Sequence, residues 1–246
     1  MLWYKSWLET QRWFFLAMML LAAQVIALYM SYPMDPITSY PNGAIGVLPL
    51  EMARVRTGDF ESYVWIRWFS TTMILFWPVY AIALAGTGFE PAGGREYLLS
   101  LPVTRRRMAL TRLSVVVGQI TAFTILPTLL LCAMAPLVGQ RYPVGDALVQ
   151  CLILLIGGSG LFGLAMFLRV VMADVAAYTA VGALVVLCAM FTFVAKGFTP
   201  YSIFRVMNGA DYFFNHHVPW VGLALSAGLG CTLVWLSVGI VERRDY

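Results

Sequence analysis

The sequence predicts an all-α integral membrane protein with six transmembrane helices, an N-terminal interfacial amphipathic helix and a short cytoplasmic helix between the second and third spans. Three observations predict it. Apolar residues make up 61% of the 246-residue chain and charged residues only 11%, where a soluble domain carries about 25% charged residues. Mean hydropathy is +0.79. The apolar residues gather in runs of about 20, the length that crosses a hydrocarbon core of about 30 Å. The pieces left between the runs are too short to hold a separate soluble domain, so residues 1–246 read as a single transmembrane domain.

Residues 2–12 (LWYKSWLETQR) open the chain. At 100° per residue, Trp3, Tyr4, Trp7 and Leu8 share one side and Lys5, Ser6, Glu9 and Arg12 the other, the pattern of a helix lying in the headgroup layer. Six spans follow at about 13–32, 66–85, 113–137, 147–168, 175–194 and 219–241. The second begins at an aromatic belt, Trp65, Trp68 and Phe69 around Arg67. Pro78 and Pro127 predict kinks in the second and third spans. No cleavable signal sequence is evident, because the first apolar run is too long for one.

Charge sets the orientation. The N-terminus, 86–112, 169–174 and the C-terminus hold ten basic residues; the opposite side holds six, with the acidic residues divided six and six. The positive-inside rule then places both termini in the cytoplasm of a multi-pass cell-membrane protein. The net charge of +4 points away from a nucleic-acid partner. Cys132, Cys151, Cys188 and Cys231 lie in apolar runs without metal-ligand spacing, so they read as free buried thiols. No metal site is expected.

Several chemistries are missing. There is no GxxxxGK[ST] phosphate cradle and no HExxH. No Asp, Glu, Lys or His falls in the middle of a span, where a proton- or ion-coupled carrier places its relay groups. If the chain moves a solute, its energy comes from another chain. Few charges in the spans favour a hydrophobic or amphipathic solute.

The most informative segment is 86–112, GTGFEPAGGREYLLSLPVTRRRMALTR. A short helical run carries Tyr97, Leu98 and Leu101, Pro102 stops it, and Arg105, Arg106, Arg107 and Arg112 lead into the third span. The run Leu98-Leu99-Ser100-Leu101-Pro102-Val103-Thr104-Arg105, preceded by Glu90 and Gly93-Gly94, resembles the cytoplasmic coupling segment of ATP-binding cassette (ABC) transporter permeases of the type-2 exporter class. The layout of six spans, an interfacial first helix, inside termini and a charged stop (Glu242-Arg243-Arg244-Asp245) is similar to theirs. Arg95 departs from the small or aliphatic residue common at its position.

The resemblance implies a permease subunit that is not itself an enzyme. It would pair with a second copy or a paralogue, sit in membrane lipid, and rest on two cytoplasmic ABC ATPase subunits that bind ATP and Mg. This chain would bind no cofactor. Arg95, Glu96, Tyr97, Leu98, Leu101, Pro102 and Arg105 would form the ATPase-coupling interface, with Tyr97, Leu98 and Leu101 as apolar anchors and Glu96 and Arg105 as polar contacts. The outer segments 33–65 and 195–218 are long enough to dock an extracytoplasmic partner, which also keeps a non-transporting assembly protein in view.

A competing motif lies in the fourth span. Gly157-Gly158-Ser159-Gly160 matches the GxSG of rhomboid intramembrane serine proteases, with Ser159 as nucleophile and His217 as base. Ser159 stands about 18 Å into its span, whereas His217 sits at the outer edge, and the second span lacks the His and Asn of a rhomboid oxyanion site. The plainer reading is close helix packing at small residues.

Overall fold

The computed structural model describes residues 2–32, 59–87, 104–172, 176, 179–187 and 202–243. Every element among them is helical: α1 (Leu2–Ser31), α2 (Phe60–Val64), a π-helical stretch (Trp65–Met73) that continues into α3 (Ile74–Thr87), α4 (Arg105–Met134) with a 3-10 turn (Ala135–Val138), α5 (Val144–Val171), α6 (Ile203–Asn208), α7 (Ala210–Asn215) and α8 (Trp220–Arg243). Residues 179–187 are helical as well. Helix is the form that satisfies every backbone polar group within its own segment, which a lipid core requires. Five helical segments are long and apolar enough to cross a membrane: Trp3–Ser31, Phe60–Ala85, Arg106–Val138, Val144–Val171 and Trp220–Arg243. The described residues are thus all-helical, and the chain is a multi-pass membrane protein. Of the expected span 175–194, only 176 and 179–187 lie within the described residues.

The spans extend beyond their apolar runs. The second begins at Phe60 rather than 66, and the third at Arg106 rather than 113. Residues 2–12 are no separate element: α1 is unbroken over 30 residues, about 45 Å, longer than the hydrocarbon core. Its polar side also faces differently from the sequence pattern. Ser6 and Thr10 are buried, while Trp3, Tyr4 and Leu8 are exposed. Trp3, Tyr4, Leu8 and Arg12 thus look outward, whereas Ser6 and Thr10 pack on the bundle and Trp7 is partly buried against the core. Cys132 and Cys151 are buried free thiols, but Cys231 is exposed; Cys188 lies outside the described residues.

Contacts give the direction of each helix. Thr10 meets Gln119 and Tyr29 meets Leu131, so α1 and α4 run parallel. Trp68 meets Thr128 and Tyr80 stacks on Phe123, so the second span is antiparallel to α4. Tyr142 in the short turn reaches back to Gln150, and Cys151 reaches the Thr124 carbonyl, so α5 is antiparallel to α4. Gly160 lies against Ser226 and Gly163 against Gly230, so α5 and α8 run parallel. The start of α1, the end of α3, the start of α4 and the ends of α5 and α8 therefore share one end of the bundle. That end carries Lys5, Arg12, Arg106, Arg107, Arg112, Arg169 and Arg243. The opposite end is rich in aromatics and is closed by α2, α6 and α7.

Candidate functional site: the basic end of the bundle

The first turns of α4 are built from the sequence-flagged arginines. Thr104 caps the helix, its backbone extended at φ −64° and ψ 140°, its side chain accepting from the Arg107 N–H at 3.4 Å. An N-cap oxygen satisfies one of the free amides at a helix start. Arg106 and Arg107 are exposed and, with Thr104, Leu110, Thr111 and Ser114, line an open groove of about 380 Å³. The hydroxyls of Thr111 and Ser114 are turned into their own helix, donating to the Arg107 carbonyl at 2.8 Å and the Thr111 carbonyl at 2.7 Å. The groove thus offers two exposed guanidinium groups at the basic end of the bundle.

Arg112 points the other way. It is buried and pairs with Glu9 of α1 at 3.8 Å. Two turns further along the same face, the buried Gln119 donates its Nε2–H to Thr10 Oγ1 at 2.6 Å. Thr10 in turn donates to the Ser6 carbonyl at 3.1 Å and the Trp7 carbonyl at 3.3 Å. Gln119 thus bridges α4 and α1, and the Glu9–Arg112 pair joins the same two helices. The pair's only sequence signal is one carboxylate within a basic neighbourhood.

Of the expected coupling residues, Arg95, Glu96, Tyr97, Leu98, Leu101 and Pro102 lie outside the described residues. Arg105 is the first residue of α4, and its side chain lies outside them too.

The GGSG run of α5 resolves into separate contacts. A Cβ on Gly157 would touch Met207 of α6 at 3.3 Å; on Gly158 it would meet the Trp77 ring; on Gly160 it would touch the Ser226 carbonyl at 3.3 Å; on Gly163 the Gly230 carbonyl at 2.7 Å. Each glycine seats a different neighbour. Ser159 Oγ donates to the Ile156 carbonyl of its own helix at 2.6 Å. Its carbonyl lies beside Gly230, ten residues or about 15 Å along α8 from Trp220. His217 precedes α8 and is exposed. The structure leaves nucleophile and base apart, beyond hydrogen-bond reach.

At the aromatic end, Arg205 pairs with Asp211 at 2.5 Å and Trp65 donates its indole N–H to the Asn208 carbonyl at 3.1 Å. Trp65 also stacks on Phe213, with centroids 4.6 Å apart. Tyr212 donates to Asp146 at 2.7 Å; this bond to a carboxylate, and then burial, raises the phenol above its ordinary range. Among the described residues no three His, Cys, Asp or Glu converge on a metal position. No family model, no curated protein and no solved structure matches this chain.

Proposed function

We propose that the chain is the membrane-spanning subunit of an ATP-driven exporter of the ABC type, moving a hydrophobic or amphipathic solute by alternating access. The observation that carries the reading is the run Leu98–Arg105 in the link between α3 and α4. That link leaves and re-enters the bundle at the basic end, together with both chain ends. By the positive-inside rule this end faces the cytoplasm, where an ATPase would dock.

The helix directions support six spans. With α5 and α8 parallel, a sixth span between them would return the chain to the start of α8, and residues 179–187 within that stretch are helical. The first turns of α1, with Trp3, Tyr4 and Leu8 outward, would lie at headgroup depth. In this reading each of two permease subunits, identical or paralogous, rests on one ATPase. Closure of the ATPases on ATP and Mg would displace residues 95–105, and the capped start of α4 would receive the displacement. The chain supplies the conformational step, and the hydrolysis is done elsewhere.

The test is a tagged pull-down from native membranes in mild detergent. A stoichiometric P-loop ATPase is expected among the co-purifying chains. Leu98→Asp and Glu96→Arg should each abolish coupling while leaving insertion intact. Absence of any ATPase, even after cross-linking through residues 95–107, would overturn the proposal.

A further inference from the structure

A coupling segment needs a rigid path into the bundle, and the polar contacts at the basic end form one. Arg112 stands seven residues, about 10 Å, inside the start of α4, and Gln119 seven further. Two residues seven apart share a helix face, so both groups lie on the stripe of α4 that meets α1. Glu9 and Thr10 receive them. At the far end of the same two helices, Tyr29 of α1 donates to the Leu131 carbonyl of α4 at 2.5 Å. The helices are thus tied at both ends, with Leu21, Val25 and Leu28 of α1 buried in the core between the ties.

The charge balance makes Glu9 hard to replace. The other described charged groups at this end are Lys5, Arg12, Arg106, Arg107, Arg169 and Arg243, with Glu242 on the last turn of α8. Arg112 is buried, and a buried cation that loses its partner is strongly disfavoured. The pair therefore resists separation of α1 from α4, whereas Arg106 and Arg107 remain turned outward.

We infer that Glu9 and Arg112, backed by Thr10 and Gln119, are positioning residues that join α1 and α4 into a single lever. A displacement delivered to the start of α4 would carry α1 with it as one body. The inference rests on the transport reading above.

The test uses the full complex with its ATPase in phosphatidylcholine nanodiscs. Spin labels are placed at the exposed positions Leu8, Leu110 and Leu236, in pairs. Trapping the ATPase with ADP–vanadate should shift the 8–236 and 110–236 distances together. The 8–110 distance should hold within about 2 Å, the scale of a small helix shift. In Glu9→Gln the 8–110 distance should change on trapping. Glu9→Asp should restore its constancy, as should the exchange Glu9→Arg with Arg112→Glu.

A change of the 8–110 distance in the wild type as large as that of the other pairs would overturn the inference. So would no change in any pair, or a constant 8–110 distance in Glu9→Gln. If Glu9→Gln does not fold, the wild-type distances still decide. Failure of the transport reading is seen separately, as a chain that purifies without any ATPase.

Discussion

A methyl group on Gly163 or Gly230 tests the close backbone approach of α5 and α8. The Cβ of Gly163→Ala would stand 2.7 Å from the Gly230 carbonyl oxygen and 2.8 Å from its Cα; that of Gly230→Ala would stand 2.5 Å from the Ser159 carbonyl oxygen. Ordinary contacts are about 3.5–4.0 Å, so α5 and α8 must part by about 1 Å. The opposing atoms are backbone, which no rotamer change can move. A gap of that size forfeits about a quarter to a half of each contact's dispersion energy, and α8 is held through few buried residues: Leu223, Ser226, Gly230, Ser237 and Val238. Overpacking of this kind costs about 1–3 kcal/mol. The higher helix propensity of Ala returns up to about 1 kcal/mol. A net loss of about 1 kcal/mol corresponds to about 2–4 °C in apparent midpoint for a chain of this size. The control is Gly228→Ala on the same helix, where nothing lies within 4 Å of the added carbon. It should gain the propensity without the clash. The assay is thermal unfolding of purified protein in mild detergent, followed by tryptophan fluorescence. If Gly163→Ala and Gly230→Ala melt at or above Gly228→Ala, the parallel α5–α8 crossing is wrong, and with it the support for the proposed sixth span between them.

Three other perturbations probe separate contacts. Thr104→Ala removes the cap of α4, worth about 1 kcal/mol, and should speed amide exchange over residues 105–107; unchanged exchange would mean the cap contributes nothing. Trp65→Phe keeps an aromatic ring against Phe213 but removes the indole donor to the Asn208 carbonyl, a loss of about 0.5–1.5 kcal/mol, and should raise exchange across α6 and α7 selectively. Ser159→Ala should leave stability within about 0.5 kcal/mol, because the hydroxyl serves only its own helix, and the wild type should not react with a fluorophosphonate probe; labelling at Ser159 would revive the protease reading.

Much of the architecture is legible in the sequence because a lipid core leaves the backbone so few options. Apolar runs of about 20 residues mark the hydrocarbon segment, and the described spans contain them. What they miss is how far each helix continues. Residues 105–112 read as a basic connection, yet they begin α4, because a Thr cap and a run of good helix formers extend the helix beyond its apolar run. The glycines of α5 read correctly as packing residues. Their four different partners, Met207, Trp77, Ser226 and Gly230, lie 50 or more residues away, where no local pattern reaches.

Two features escape local reading altogether, for the same physical reason. Residues 2–12 show which side chains share a face but not what that face meets. In water the polar side would turn outward; here Arg112 is held in the bundle by its own helix, and Ser6, Glu9 and Thr10 of α1 turn toward it while Arg12 stays exposed. The π stretch Trp65–Met73 has no proline or glycine to announce it. Its backbone is held by tertiary anchors on two sides: Trp65 to Asn208, 143 residues on, and Trp68 to Thr128, 60 residues on. Within the stretch, Thr71 and Thr72 donate to the carbonyls of Ile66 and Arg67, five residues back, at 2.9 and 2.7 Å. That spacing suits the i→i+5 ladder rather than the α-helical one. The two hydroxyls thus support a backbone form that the distant indole contacts select, and shortening the ladder to α-helical spacing would turn at least one tryptophan away from its acceptor.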